Sequence, residues 1–169
     1  EKASLATEGD GAGIDFEDAS LDGASFEEAS LTTKGVSRMY WYNDEGEKYY
    51  YYNYADINFE KASLAGVAFT KASLVTEGNY SEIDFVDASM TGANFTKASL
   101  TTKAKRADID FDEADLDGAD FTKASLATKG DGAYIAFDDA SMSGSNFAKM
   151  MGMQQEINQL KSHIETLTA

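Results

Sequence analysis

Carboxylates dominate the side chains of this sequence that could do chemistry. The 169 residues include 30 Asp and Glu against 14 Lys and Arg, which gives a formal net charge of −16, with one histidine and no cysteine. A carboxylate pair can act as general acid and base when its surroundings tune the two pKa values apart. No pair here is marked by a surrounding apolar run, so the sequence predicts no catalytic residue and a protein that is not an enzyme.

Metal and cofactor sites are not predicted either. Without cysteine there is no thiolate nucleophile or thiolate metal ligand. The segments Gly9-Asp10-Gly11 and Gly130-Asp131-Gly132 share glycine and aspartate with calcium loops. They lack the alternating oxygen ligands and the closing glutamate of such loops, and Gly and Asp are ordinary turn residues. We therefore expect no metal and no cofactor.

The charge and hydropathy pattern also limits the partners. Binding to phosphate groups requires clustered Lys and Arg, which a chain of net charge −16 does not favour. No apolar run approaches the ~20 residues that span a bilayer. The sequence therefore predicts neither nucleic-acid binding nor membrane insertion.

The elements that position these side chains follow from a short repeat. A large apolar residue recurs every five residues with Ala two positions before it, as in Ala19-Ser20-Leu21 and Ala24-Ser25-Phe26. A second period of 26 residues is four repeats plus six further residues. It aligns five columns of apolar side chains, which are the predicted core: Phe16, Phe59, Phe85, Phe111 and Phe137; Leu21, Leu64, Met90, Leu116 and Met142; Phe26, Phe69, Phe95, Phe121 and Phe147; Leu5, Leu31, Leu74, Leu100 and Leu126; and Ile14, Ile57, Ile83, Ile109 and Ile135.

This pattern resembles the pentapeptide-repeat family, in which Ala is followed by Asp, Asn or Ser, then Leu or Phe, then two variable residues. The resemblance covers about residues 1–149 and implies an all-β solenoid, a right-handed quadrilateral β-helix. The family winds 20 residues per coil. Here the six additional residues predict 26-residue coils with a loop at the same corner of every coil. Coils should stack at the β spacing of ~4.8 Å.

The C-terminal segment 150–169 changes to a heptad pattern, which predicts an α-helix. Its apolar residues are spaced alternately by three and four. Ile at a with Leu at d favours a parallel homo-dimer over a homo-trimer, and the alternative is an amphipathic cap on the rod. At the other end the chain starts inside a repeat, so we expect a segment of a longer protein. The predicted oligomerisation residues are Met150, Met153, Ile157, Leu160, Ile164 and Leu167.

A long insertion at residues 32–56 interrupts the 26-residue period. It holds seven of the nine tyrosines and the single tryptophan, on both sides of a polar turn that contains Gly46. The pattern predicts a β-hairpin over 39–54. Tyr and Trp offer rigid amphipathic contact area, suited to a glycan, a protein receptor or another copy of the chain. The alternative is packing on the chain's own rod. The predicted binding residues are Tyr40, Trp41, Tyr42, Tyr49, Tyr50, Tyr51, Tyr52 and Tyr54.

Two functional hypotheses follow. The first is a structural and binding rod, such as a segment of a phage tail fibre or surface adhesin, which favours an extracellular or virion location. The second comes from the family resemblance. Quinolone-resistance members are acidic rods that protect DNA gyrase or topoisomerase by mimicking DNA. An acidic face around the first Phe column fits the second hypothesis, whereas a row of Lys71, Lys97, Lys123 and Lys149 does not. The favoured interpretation of the acidic face is a solvated surface that keeps an apolar rod soluble.

Overall fold

The protein winds into a parallel β-solenoid, as a computed structural model of residues 3–9, 11–43 and 45–147 describes. About five coils stack with a repeat of about 26 residues. The predicted all-β solenoid is confirmed. The predicted C-terminal helix and its oligomerisation residues lie outside the described residues, and no helix within those residues is long and apolar enough to cross a bilayer.

Two sides of each coil are hydrogen-bonded parallel strands. The first sheet has the order β1-β3-β7-β9-β11 and carries the Leu column, with Leu5 paired to Leu31 and Leu74 paired to Leu100. The second has the order β12-β10-β8-β6-β2 and carries the Ile column. The strands are β1 (Ser4–Glu8), β2 (Ile14–Asp15), β3 (Ser30–Lys34), β4 (Val36–Tyr42), β5 (Lys48–Tyr54), β6 (Ile57–Asn58), β7 (Ser73–Thr76), β8 (Ile83–Asp84), β9 (Ser99–Thr102), β10 (Ile109–Asp110), β11 (Ser125–Thr128) and β12 (Ile135–Ala136).

The other two sides are columns of single β-bridges. One column runs through Ser20, Ser63, Ser89, Asp115 and Ser141, and the other joins Ser25, Ala68, Asn94 and Asp120. Two sheets and two bridge columns make four sides. Each side places one central apolar residue of a repeat inside the coil.

The interior is filled by the predicted apolar columns. Phe85 stacks on Phe111 with ring centroids 4.9 Å apart, and the same ring meets Phe95 edge-on at 6.1 Å. These offset and perpendicular geometries suit the aromatic quadrupole. Phe147 is buried in the core, as predicted. Its ring does not stack parallel on its column neighbour, since it meets Phe121 at 69° and lies 4.3 Å from Phe137.

Three corners of each coil are tight turns that require a left-handed residue. At the turn after Leu21, Leu64 and Met90 that residue is Gly23, Gly66 and Gly92, which adopt this φ without a steric penalty. The turns after the two Phe columns use charged residues instead, with φ of 55° to 60°. The predicted lysine row is part of this second set, since Lys71, Lys97 and Lys123 all stand at such corners.

The aromatic insertion forms a β-hairpin, as predicted. Strands β4 and β5 pair antiparallel from Val36↔Tyr54 to Tyr42↔Lys48, so the hairpin begins three residues before the predicted position 39. Its polar turn is closed by Asn43, whose Oδ1 accepts hydrogen bonds from the backbone N–H groups of Glu45 and Glu47. The coils on both sides keep their register, with Ile14 opposite Ile57 and Leu31 opposite Leu74.

Candidate interaction surfaces

The hairpin joins the rod through a column of aromatic and cationic side chains. Tyr54, the last residue of β5, has 39% of its surface exposed, and its ring lies 6.1 Å from that of Tyr80 in the next coil. The Arg106 guanidinium of the following coil lies 5.7 Å from the centre of the Tyr80 ring, a cation–π distance. Tyr54, one of the predicted binding residues, therefore lies at the start of a surface that continues through Tyr80 and Arg106 beyond the hairpin.

The other predicted binding residues lie on the paired strands of the hairpin. Trp41 is opposite Tyr49, and Tyr40 is opposite Tyr50. The structure describes their backbone and register, while the contacts of their side chains lie outside the described part. The hairpin is therefore confirmed, and its role in binding stays a prediction.

The corner beneath the hairpin differs from the corners of the next two coils. In those coils a buried threonine hydroxyl donates across the loop, from Thr76 to the carbonyl of Ser81 and from Thr102 to the carbonyl of Ala107. In the hairpin coil the corresponding Thr33 is fully buried, and its hydroxyl has no hydrogen-bond partner among the described residues. The Thr7 hydroxyl, opposite Thr33 in the first coil, also lacks a partner within the described residues, so this feature is not specific to the corner with the hairpin.

The acidic face is formed by the outer side of the second sheet and by the residues just before its strands. Its carboxylates lie in register from coil to coil, with Asp84 opposite Asp110. Some of them bond to the next coil. Asp56 Oδ1 accepts from the Glu82 backbone N–H at 2.7 Å, and Asp108 Oδ1 accepts from that of Tyr134 at 2.8 Å. These carboxylates therefore help to hold the stack together.

Burial, and after it repulsion between like charges, raises the pKa values of carboxyls on this face. Burial, followed by repulsion from Asp56, Asp84, Asp108 and Asp110, raises the pKa of Glu82 to about 7. Burial is also the main cause for Asp56 and Asp84, whose pKa values rise to about 6. Of these three groups, Glu82 therefore takes up a proton nearest to neutral pH. Sequence reasoning located the acidic columns but missed this effect, which depends on the spacing between coils.

Lys71 of the lysine row and the loop lysines Lys34 and Lys103 are paired with carboxylates. Lys71 Nζ lies 2.7 Å from Glu28 Oε1 in the preceding coil. Glu77 bridges three coils, at 2.8 Å from Lys103 and 3.5 Å from Lys34. Such exposed pairs each contribute little stability. These pairs bring positive and negative side chains together, in contrast to the acidic face.

The first coil leaves an apolar end surface. Leu5 is 50% exposed, and a cavity of about 210 Å³ opens between it and Phe16, Phe26 and Leu31. No group of three or more His, Asp or Glu side chains among residues 3–9, 11–43 and 45–147 is arranged to hold a metal ion. The candidate interaction surfaces of this part of the chain are thus the aromatic column at the hairpin, the acidic face and the apolar surface of the first coil.

The geometry is that of a parallel β-solenoid built from five-residue repeats, and comparison with known proteins agrees. The family model of pentapeptide repeats matches residues 76–102 and 107–127 in eight copies. Over these residues the chain is built of pentapeptide repeats. No curated protein sequence matches it.

Several solved pentapeptide-repeat structures are similar to the chain. One is a protein of the Arabidopsis thaliana thylakoid lumen, with 22% identity over 82% of this chain and a TM-score of 0.26. The chain spans 61% of that protein's length. Another is QnrB1, a plasmid-mediated fluoroquinolone resistance protein, with 15% identity, coverage of 85% and 72%, and a TM-score of 0.20. A third is HetL of the cyanobacterium Nostoc, involved in heterocyst differentiation regulation, with 15% identity, coverage of 78% and 88%, and a TM-score of 0.14.

Proposed function

We propose that this protein is a non-catalytic binding rod whose solenoid presents the aromatic hairpin to a partner. The observation that carries the proposal is the uninterrupted register around the insertion. Ile14 pairs with Ile57 and Leu31 with Leu74, as if the hairpin were absent. The stack therefore does not require an insertion rich in Tyr and Trp, and apolar area placed outside a core usually marks an interface.

The finer proposal is a segment of an oligomeric, fibre-like or adhesin-like protein. Its support is the stiffness of stacked coils and the heptad at residues 150–169, which favours self-association. A parallel oligomer would display several hairpins together and raise the affinity for a repeated receptor. A glycan or a protein receptor suits the Tyr-rich strands equally well.

Loop replacement tests the proposal. Exchanging residues 33–55 for the sequence of residues 102–107 removes the hairpin and supplies a loop that closes a coil elsewhere in this rod. We expect an unchanged circular dichroism spectrum and a melting temperature equal to or above that of the parent. Binding to a glycan array or to receptor-bearing cells should be lost.

A matched control is Tyr134→Ser, which removes an exposed tyrosine of the same corner outside the hairpin. It should keep the binding. Unfolding of the loop-replaced protein would show that the hairpin belongs to the core. Unchanged binding by that protein would place the contact elsewhere on the rod.

A second candidate function is protection of a type II topoisomerase by an acidic rod. The acidic face favours it, because carboxylates on successive coils form a line of negative charge. The test is gyrase supercoiling in the presence of a quinolone, with stoichiometric protein. Protection that disappears in Asp84→Asn/Asp110→Asn would favour this candidate over the first. Equal gyrase inhibition with and without the protein would exclude it.

A further inference from the structure

A hollow opens in the side of the rod between the first and second coils, at the base of the hairpin. It measures about 270 Å³ and is lined by Gly11, Gly13, Ile14, Asp15, Tyr54, Asp56 and Asn58. That volume holds several water molecules or one large polar group. The hollow lies beside the acidic face, at the point where the hairpin returns to the rod.

The hollow lies where one coil lacks an outward side chain. Position 13 belongs to a column that continues through Asp56, Glu82, Asp108 and Tyr134, which all carry side chains. A Cβ at Gly13 would stand 3.0 Å from the carbonyl oxygen of Asp56, so a side chain there would require the neighbouring backbone to move by a few tenths of an ångström. The glycine thus permits a close approach of the two coils and leaves the place of an outward side chain open.

The lining is suited to a cation. Asp15 uses one carboxylate oxygen to accept from the backbone N–H of Glu17, and Asp56 uses one to accept from that of Glu82. The second oxygen of each makes no hydrogen bond within the described residues. Opposite Asp15 stands Asn58, an amide rather than a third carboxylate. Tyr54 supplies an aromatic wall, and aromatic rings attract ammonium and guanidinium groups.

We propose that this hollow is a binding site for an organic cation, the guanidinium or ammonium group of a partner's side chain or of a free polyamine. Charge-assisted hydrogen bonds from the cation satisfy the second oxygens of Asp15 and Asp56, and its methylene groups lie against Tyr54. Cation binding also relieves an electrostatic cost in the empty site, since burial and the nearby Asp84 raise the pKa of Asp56 to about 6. The proposal is independent of whether the hairpin binds a partner.

Titration of the full chain with N-acetyl-arginine amide, followed by two-dimensional NMR, tests the site. We expect saturable shifts confined to Gly13, Asp15, Tyr54 and Asp56, with a Kd of about 1 mM for so small a ligand. Asp15→Asn and Asp56→Asn should each weaken binding at least tenfold. Both substitutions keep an oxygen that can accept the existing backbone hydrogen bond.

Matched controls separate a built site from general negative charge. Asp110 occupies the column position of Asp15, and Asp108 occupies that of Asp56, in a coil outside the hollow. Asp110→Asn and Asp108→Asn should therefore bind the ligand like the parent protein. A parallel titration with spermidine distinguishes a free polyamine from a side chain as the source of the cation. Equal weakening in all four variants, shifts that do not saturate, or equal occupancy by Mg²⁺ would overturn the proposal.

Discussion

Phe85 and Phe111 are 26 residues apart in sequence and lie face to face in adjacent coils, with ring planes 6° from parallel and centroids 4.9 Å apart. The same separation recurs between Phe59 and Phe85 and between Phe111 and Phe137, at 5.0 and 4.8 Å. A ring inside this ladder therefore contacts rings above and below it. Each one contributes to two interfaces between coils, so loss of one ring should be felt by both.

Phe111→Ala should lower the free energy of unfolding by about 3–5 kcal/mol. Phe111 is fully buried between two stacked rings, and the hydrogen-bonded coils on either side prevent collapse around the cavity. Urea unfolding measures the change. Phe16→Ala, at a partly exposed ring of the first coil, should cost less. A loss below about 1 kcal/mol for Phe111→Ala would contradict its place in the ladder.

Thr33→Val should stabilise the rod by about 1 kcal/mol, whereas Thr102→Val should destabilise it by a similar amount. Both threonines are fully buried. The Thr33 hydroxyl has no partner in the part of the chain that the structure describes, so its removal should relieve a desolvation cost, but the Thr102 hydroxyl donates to the carbonyl of Ala107. Thermal unfolding of the two isosteric variants gives the comparison. Equal loss of stability in both would show that Thr33 has a partner in solution.

Mild acidification should stabilise the protein. A carboxyl whose pKa is higher in the folded than in the unfolded protein destabilises the fold at pH values where it is charged in both states. As the pH falls from the folded pKa to the unfolded pKa, the folded protein takes up the proton first and this destabilisation is relieved. For Glu82 that window runs from about 7 down to 4.5, and for Asp56 and Asp84 from about 6 down to 3.8. The free energy of unfolding should therefore rise as the pH is lowered from about 8 to about 5.

Glu82→Gln isolates the largest contribution to this pH dependence. The substitution should add about 1 kcal/mol at about pH 8, after allowance for solvent screening of a partly exposed group, and should flatten the rise toward acid pH. Glu113→Gln, at a corner turn, serves as the control for the loss of one negative charge. A parent protein whose stability falls steadily as the pH is lowered over this range would contradict the packing of the acidic face.

Ile157→Asp should convert a parallel oligomer into a monomer in sedimentation experiments. The prediction comes from the heptad of residues 150–167, with Ile at a and Leu at d, which favours a dimer ahead of a trimer. Gln159→Asp, at a non-core heptad position, is the control and should leave the mass unchanged. A monomeric parent would identify the helix as a cap on the rod.

The coil repeat could be predicted from the sequence because the core is a stack of equivalent coils along one axis. Like residues must lie above one another, so a spacing of 26 between Phe59, Phe85 and Phe111 is visible without knowledge of the structure. The hairpin was equally visible, as two aromatic runs around a polar turn. The limits of the prediction lie where the ladder ends, since Phe147 keeps the spacing but not the stacking of its column.

The candidate surfaces were less predictable, because they depend on groups brought together across coils. Nothing adjacent in sequence connects Tyr54, Tyr80 and Arg106, or links Gly13 to the carbonyl of Asp56. The hollow arises from a missing side chain, and a glycine before a strand is equally typical of an ordinary turn. The unpartnered hydroxyl of Thr33 stands out only beside the bonded hydroxyls of Thr76 and Thr102.

The hairpin leaves one corner of the rod without changing how the coils stack, so the presented loop and the length of the rod can vary separately. Because the flanking coils pair as though the insertion were absent, duplication of one 26-residue cassette would lengthen the rod by a single strand spacing, about 4.8 Å, and leave the hairpin unchanged. Gain or loss of cassettes on either side would shift its height in fixed steps. The fold thus acts as a ruler, on which recognition and reach can evolve independently.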